Sequence, residues 1–176
     1  GDNIMATTWK LTEESYIYPL YLPVDINGLS AADGNYISMK NYNHATIIVL
    51  IGACAATASM TIKRATTVAG GSAEAWTGWD YAMVNANASA YNAEDASDTE
   101  NFTLTEVTSY TKATGTTPNQ VWVVEFDAID LGGGAWDCFS INFTDPGNAD
   151  IVGAVAILTG ARYTGAGTNA PTARTD

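Results

Sequence analysis

Short apolar or alternating runs, separated by clusters of Gly, Asn, Asp, Thr and Pro, recur along the whole chain, and helical spacing is nearly absent. About eight of these runs read as strands. Tyr16 to Leu22 is aromatic and apolar, but Pro19 cannot donate to a ladder, so this segment is predicted as a sheet edge or a bulged arm. Asn35 to Lys40 follows a turn at Asp33-Gly34. His44 to Ala53 is a nearly unbroken series of Ile, Val, Leu and Ala, which predicts a strand buried on both faces. Ser59 to Thr66 alternates, with Met60 and Ile62 inward and Thr61 and Lys63 outward. Together these two predict a hairpin across Ala55 to Ala58.

A flexible link, Val68 to Ser72, leads to Trp76, Trp79, Tyr81 and Met83 in a strand ending near Asn85. Asn85 to Glu100 is the most polar stretch and lacks any period, which favours a surface loop. Phe102 to Tyr110 and Gln120 to Ile129 resume the strand pattern, and Val121 to Phe126 is predicted to be central in its sheet. The glycine turn Asp130 to Gly134 precedes Trp136 to Thr144, where Phe139, Ile141 and Phe143 share one face and Cys138, Ser140 and Asn142 the other. Asp145-Pro146-Gly147-Asn148 is a strong turn signal, and Ile151 to Tyr163 is a last long strand, apolar on both faces. The pattern predicts an all-β fold: a single antiparallel β-sandwich, jelly-roll-like, with extended N- and C-terminal arms. Its expected divisions are an arm and edge segment over 1–34, the sandwich over 35–163 and an extended tail over 164–176.

Composition supports one self-sufficient domain. The 176 residues are 47% hydrophobic and 15% charged, and a globule of this size buries roughly 70% of the surface its unfolded chain exposes. Nineteen Asp and Glu against seven Lys and Arg give a formal charge of −12, which repels nucleic acid and anionic membranes alike. Neither is expected as a partner. Cys54 and Cys138 each sit in an apolar run and read as reduced core thiols. The first eight residues hold neither a basic segment nor an apolar stretch of signal-peptide length, and no window approaches the ~20 apolar residues of a membrane span, so synthesis in the host cytoplasm is expected.

Candidate chemistry is sparse. His44, the sole histidine, opens the most apolar strand and reads as structural. No nucleophile elbow, metalloprotease helix motif, phosphate loop or zinc-spaced cysteine pair occurs, so no catalytic residue is assigned and no enzyme is expected. Glu125 with Asp127, or Asp130 with Asp137, has the composition of a glycosidase carboxylate pair, a coincidence to be expected in an acidic chain. Oxygen ligands in Glu94 to Glu100 and Asp145 to Asp150 suit calcium, but neither loop has the spacing of a calcium motif, and no metal or cofactor is assigned. The sequons at Asn87, Asn101 and Asn142 follow from a chain rich in Asn, Ser and Thr. Five tryptophans and nine tyrosines raise a carbohydrate-binding alternative in which Trp76 and Trp79 stack on sugar rings, against a reading of the same rings as core.

Several segments, taken in order, resemble a group of tailed-phage virion structural proteins, small β-rich polypeptides encoded among head and tail genes. Met39-Lys-Asn-Tyr-Asn-His-Ala-Thr-Ile-Ile-Val-Leu-Ile-Gly-Ala53 looks like their first core strand, and Thr61-Ile-Lys-Arg-Ala-Thr-Thr-Val-Ala-Gly-Gly-Ser-Ala-Glu-Ala75 is similar to their following strand and glycine-rich loop. Val124 to Leu131, Trp136 to Phe143 and Ala156 to Tyr163 complete the series, so the resemblance spans about residues 36 to 163. It carries no catalytic residues. What it implies is a capsid decoration or cement protein bound to the major capsid protein on the virion head surface; a homo-oligomer, with a trimer favoured, is the expectation from the symmetry of repeated subunits. A tail, baseplate or fibre-associated component is the alternative within the virion. Tyr16, Tyr18, Leu20, Tyr21 and Tyr163 are the expected interface anchors, carried on the N-terminal segment and at the end of the last strand.

Overall fold

Because successive side chains on a strand point to opposite faces, each run offers one face to a core and one to its surroundings. The computed structural model describes residues 11, 15–29, 33–54, 56–76, 82–85, 102–105, 110–111, 120–133 and 135–162. Its strands are β1 (Tyr16–Asp25), β2 (Ile37–Ser38), β3 (Tyr42–Cys54), β4 (Ser59–Ala65), β5 (Glu74–Ala75), β6 (Ala82–Asn85), β7 (Phe102–Thr105), β8 (Tyr110–Thr111), β9 (Gln120–Asp127), β10 (Cys138–Phe143) and β11 (Asp150–Ala161). Antiparallel pairing orders β1-β11-β3-β9 in the first sheet, extended beyond β9 by β6 and β7. The second sheet runs β2-β10-β4-β5, with β8 also pairing β4. With β6 to β8 taken as an insertion between β5 and β9, these two orders are those of a jelly roll. The chain crosses from sheet to sheet at each step from β1 to β4, and again from β9 to β11. The expected all-β sandwich is thus the fold.

That topology overturns the hairpin expected across Ala55 to Ala58. β3 lies between β11 and β9, whereas β4 lies beside β10, so the connection passes between sheets and the two strands face each other across the core. Nor is β3 buried on both faces. Ala45, Ile47, Val49 and Ile51 are buried, while Leu50, on the other face, is 57% exposed. In β9 the alternation is as expected: Gln120, Trp122, Val124 and Phe126 face inward, and the strand is central between β3 and β6. β1 is an edge strand of the sandwich, with irregular register on either side of Tyr21, so Pro19 marks an edge here and not a free arm. The glycine turn before β10 also forms as predicted, Gly132 and Gly133 adopting φ of 103° and 61°. The polar stretch 86–100 and the tail 164–176 lie outside the described residues.

Aromatic edges join the two sheets. Phe126 of β9 meets Phe139 of β10 at 5.0 Å between ring centroids and 89° between planes, and Trp76, just after β5, meets Phe126 at 4.9 Å and 73°. At the other end Tyr21 of β1 contacts Phe143 of β10 at 5.5 Å and 76°. Edge-to-face pairs of this kind add about 0.5–1.5 kcal/mol each beyond the area they bury. Trp122 is fully buried, and its indole N–H donates to Gln120 Oε1 at 2.9 Å, which removes the cost of an unpaired donor.

β10 departs from simple alternation because all six of its residues are buried. Phe139, Ile141 and Phe143 face the core, as predicted. Cys138, Ser140 and Asn142 face outward, and an ion pair covers them: Lys63, opposite Ser140, reaches Asp33 at 2.7 Å, and Asp33 bridges to Asn142 on the far side of β10. Lys63 therefore crosses the strand above Ser140. Asp33 also accepts from Tyr36 Oη at 2.7 Å and Asn142 Nδ2 at 2.8 Å. Burial alone would raise the Asp33 carboxyl, but these hydrogen bonds and the Lys63 charge prevail and hold it below its ordinary value. Cys138 carries a free, buried thiol on the outward face, pushed up to about 12 first by burial and then by its hydrogen bond to Asp137, as suits an inert thiol.

Two expectations follow. Phe139→Ala removes the ring shared between the sheets and is expected to cost about 3–5 kcal/mol in urea unfolding, whereas Leu50→Ala on the open face stays within about 0.5 kcal/mol. Asp33→Asn should cost on the order of 1 kcal/mol at pH 7, since the pair is partly solvated. Because the folded carboxyl lies below its ordinary 3.8, the contribution is complete above that pH and is lost as pH falls through the folded value. Urea midpoints of wild type and variant should therefore converge on acidification below 3.8.

Candidate functional site

The outer face of the first sheet carries the side chains that the core did not take. Register places Ile48 opposite Val155 and Leu50 opposite Gly153, with Pro19 of β1 beside Val155 and Ile17 beside Ile157. Val121 and Val123 of β9 extend this row on the far side of β3. Leu22 at 65%, Ile151 at 45% and Ile17 at 43% are exposed here together with Leu50. The result is a continuous run of exposed and half-exposed apolar side chains on this end of the sheet.

Glycines and prolines shape a groove in it. Gly52 and Gly153 place no side chain on the face, and Leu50, Ile151, Leu22 and Pro23 rise around the gap. A Cβ on Gly153 would come within 3.1 Å of the Pro23 ring, so its absence lets β1 close against β11. The groove measures about 330 Å³ and is lined almost wholly by carbon. Tyr21 is the one titratable residue in its lining, its phenol raised by burial and then by the Asp33 charge, so the chemistry the groove offers is burial of apolar surface.

The face becomes polar toward the other end of the same strands. His44 Nδ1 lies 2.7 Å from Asp127 Oδ1 and its Nε2 lies 3.6 Å from Glu125 Oε1, while Thr46 Oγ1 donates to Glu125 at 2.9 Å. His44 is thus not in the interior but on the sheet surface, its side chain 35% exposed. Glu125 and Asp127 flank it on an open sheet, without the walls a glycosidase cleft requires. Asp130 accepts from the Asp127 amide and Asp137 from the Cys138 thiol, so each has a local structural contact. In the second candidate calcium loop, Asp145 Oδ1 accepts from Gly28 and Gly147 amides, and buried Asp150 accepts from the Ala56 amide. Among the described residues no group of three or more His, Cys, Asp and Glu is gathered for a metal; Glu94 to Glu100 lies outside them.

Of the expected interface anchors, the four on β1 differ in exposure. Leu20 and Tyr21 are buried in the core, and half-buried Tyr16 and Tyr18 pack against it, their rings 6.2 Å apart. Their burial removes Leu20 and Tyr21 as surface anchors; Tyr163 lies outside the described residues. Trp76 is likewise buried against Phe126, so its ring is closed to sugar stacking, and Trp79 lies outside the described residues. The exposed positions of β1 are Ile17 and Pro19 between the tyrosines, and Leu22 to Asp25 after them. Strict alternation counted from Pro19 would have found the first of them.

No family model matches the chain, and neither does any curated protein. Among solved structures it is similar to the SPBc2 prophage-derived protein YomS. The two are 11% identical, with 82% of this chain and 92% of that one covered and a TM-score of 0.44.

If the outer face is a contact surface, Leu50→Glu combined with Ile151→Glu should shorten retention on a hydrophobic-interaction column while shifting the urea midpoint little, because neither side chain contributes to the core. Unchanged retention would mean that the face is already covered in solution.

Proposed function

We propose that the chain is a non-enzymatic virion structural protein, a capsid decoration or cement protein that binds the outer surface of a phage head and stabilises it. The observation that carries this reading is the apolar outer face of the first sheet, four strands wide, on a body with an otherwise acidic surface. The resemblance of residues 36 to 163 to tailed-phage virion proteins supports it, and the jelly-roll body is a scaffold suited to repeated subunits. A stable contact with the major capsid protein requires on the order of 1,200–2,000 Å² in total. The groove supplies its apolar centre.

Assembly as a trimer is part of the proposal, since symmetric oligomers suit local three-fold positions on a head. At −12 per chain the subunits repel one another, and salt with a Debye length of ~8 Å at physiological strength relieves that repulsion. An apolar contact between acidic partners should therefore hold or tighten as salt rises.

The test is co-sedimentation of the purified chain with heads of the source phage lacking it. On the order of hundreds of bound copies per head is expected, with Leu50→Glu plus Ile151→Glu weakening binding about tenfold or more and added salt not releasing it. About a dozen copies or fewer would move the chain to a vertex or to the tail, and absence from particles would overturn the virion reading altogether.

A further inference from the structure

Four cationic side chains belong to the described residues, and they divide into two kinds. Lys63 is paired with Asp33, and Arg64 with Glu74 at 2.6 Å. Lys40 and Arg162 make no ion pair, and both line one pocket of about 230 Å³ between the β2–β3 turn, the glycine turn after β9 and the end of β11. In a chain of net −12, convergence on one concavity of the two cations that are unpaired among the described residues sets that place apart electrostatically.

The pocket is also built to hold them. Arg162 Nε donates to Asn43 Oδ1 at 2.8 Å and its backbone amide to Asn41 O at 2.9 Å, which fixes the guanidinium and leaves its two Nη groups for a carboxylate. Trp136 forms another part of the wall, steadied by the Arg64 guanidinium 4.7 Å from its ring centroid. Ile129, 75% exposed, stands at the mouth, and Asp137 is the single acid in the lining. The volume falls below the roughly 300–1,000 Å³ of pockets that enclose drug-sized ligands, so one ring is the size it accepts.

We infer that this pocket binds a single acidic sugar ring of the uronic-acid type. Arg162 and Lys40 hold the ring carboxylate, Trp136 packs against its C–H face, and Asp137 accepts from ring hydroxyls. Asp137 is what argues for a sugar acid: beside a phosphate dianion it would repel, whereas beside a monoanion rich in hydroxyls it has donors to receive. The site is separate from the apolar groove, at the opposite end of β11, and does not rest on the docking reading.

The experiment is ligand-detected NMR on the full chain at low salt with glucuronic acid, glucose and acetate, together with a Glu-rich peptide as competitor. Saturable binding of glucuronic acid is expected, with glucose and acetate each far weaker. Arg162→Gln and Lys40→Gln, both at exposed positions, should each weaken it about tenfold with unchanged thermal unfolding. Equal binding of glucose, indifference to Arg162→Gln, or no saturable response to glucuronic acid would overturn the assignment. So would displacement by the Glu-rich peptide alone, which would make the pocket a receptor for acidic side chains of a protein.

Discussion

The contact between Phe126 and Phe139 is the constraint from which the rest of the molecule follows. A jelly roll sends its chain back and forth between two sheets that share no ladder, so the backbone alone does not hold the sheets face to face. Side chains must do so. Phe126 is fixed by β9, central in the first sheet, and Phe139 by β10, central in the second, and Trp76 closes on Phe126 from the end of β5. Once these inner faces are committed, alternation dictates what each strand presents outside, and the two surfaces acquire opposite characters.

On the second sheet the outward residues of β10 are small or polar, and one ion pair seals them. Lys63 and Asp33 are partly solvated, so their pairing contributes modestly as a salt bridge; its larger effect is to hold residues 33–36 beside β10, satisfy Asn142 and exclude water from Ser140. On the first sheet the outward residues around Ile17, Pro19, Ile48, Leu50, Ile151 and Val155 are apolar, and nothing described covers them. The same sandwich therefore has one face closed by its own polar chemistry and one left open.

Strand existence was legible from the pattern, and strand partners were not. β9, β10 and β4 follow from period-two alternation, because Trp122, Val124 and Phe126 or Met60 and Ile62 can be sorted inward without knowing what they meet. The hairpin between β3 and β4 was misread because proximity in sequence favours pairing, while the jelly roll makes neighbours of β3 and the distant β11. β3 looked doubly buried because a strand with one face in a core and apolar residues exposed on the other has the same apolar composition as a fully internal one. In β1 the aromatic residues drew attention as anchors, yet their size is what recruits Tyr21 into the core against Phe143. Ion-pair status was illegible altogether: nothing local to Lys40 or Arg162 separates them from Lys63 and Arg64, since the difference lies in which acid a fold brings alongside.

Charge and apolarity are arranged here so that each limits the other. A −12 surface keeps copies apart at low salt, and that repulsion protects an exposed aliphatic sheet from indiscriminate association. Pro19 and Pro23 add to the protection, since they remove two amide donors from the one edge strand that borders the face. An open apolar face on a well-packed body is stable only where nonspecific pairing has been made costly, and the edge prolines and surface acids supply that cost. If the groove docks on a capsid as proposed, the docking surface must match its shape over a wide area, because short-range burial is the attraction that remains once long-range electrostatics oppose approach.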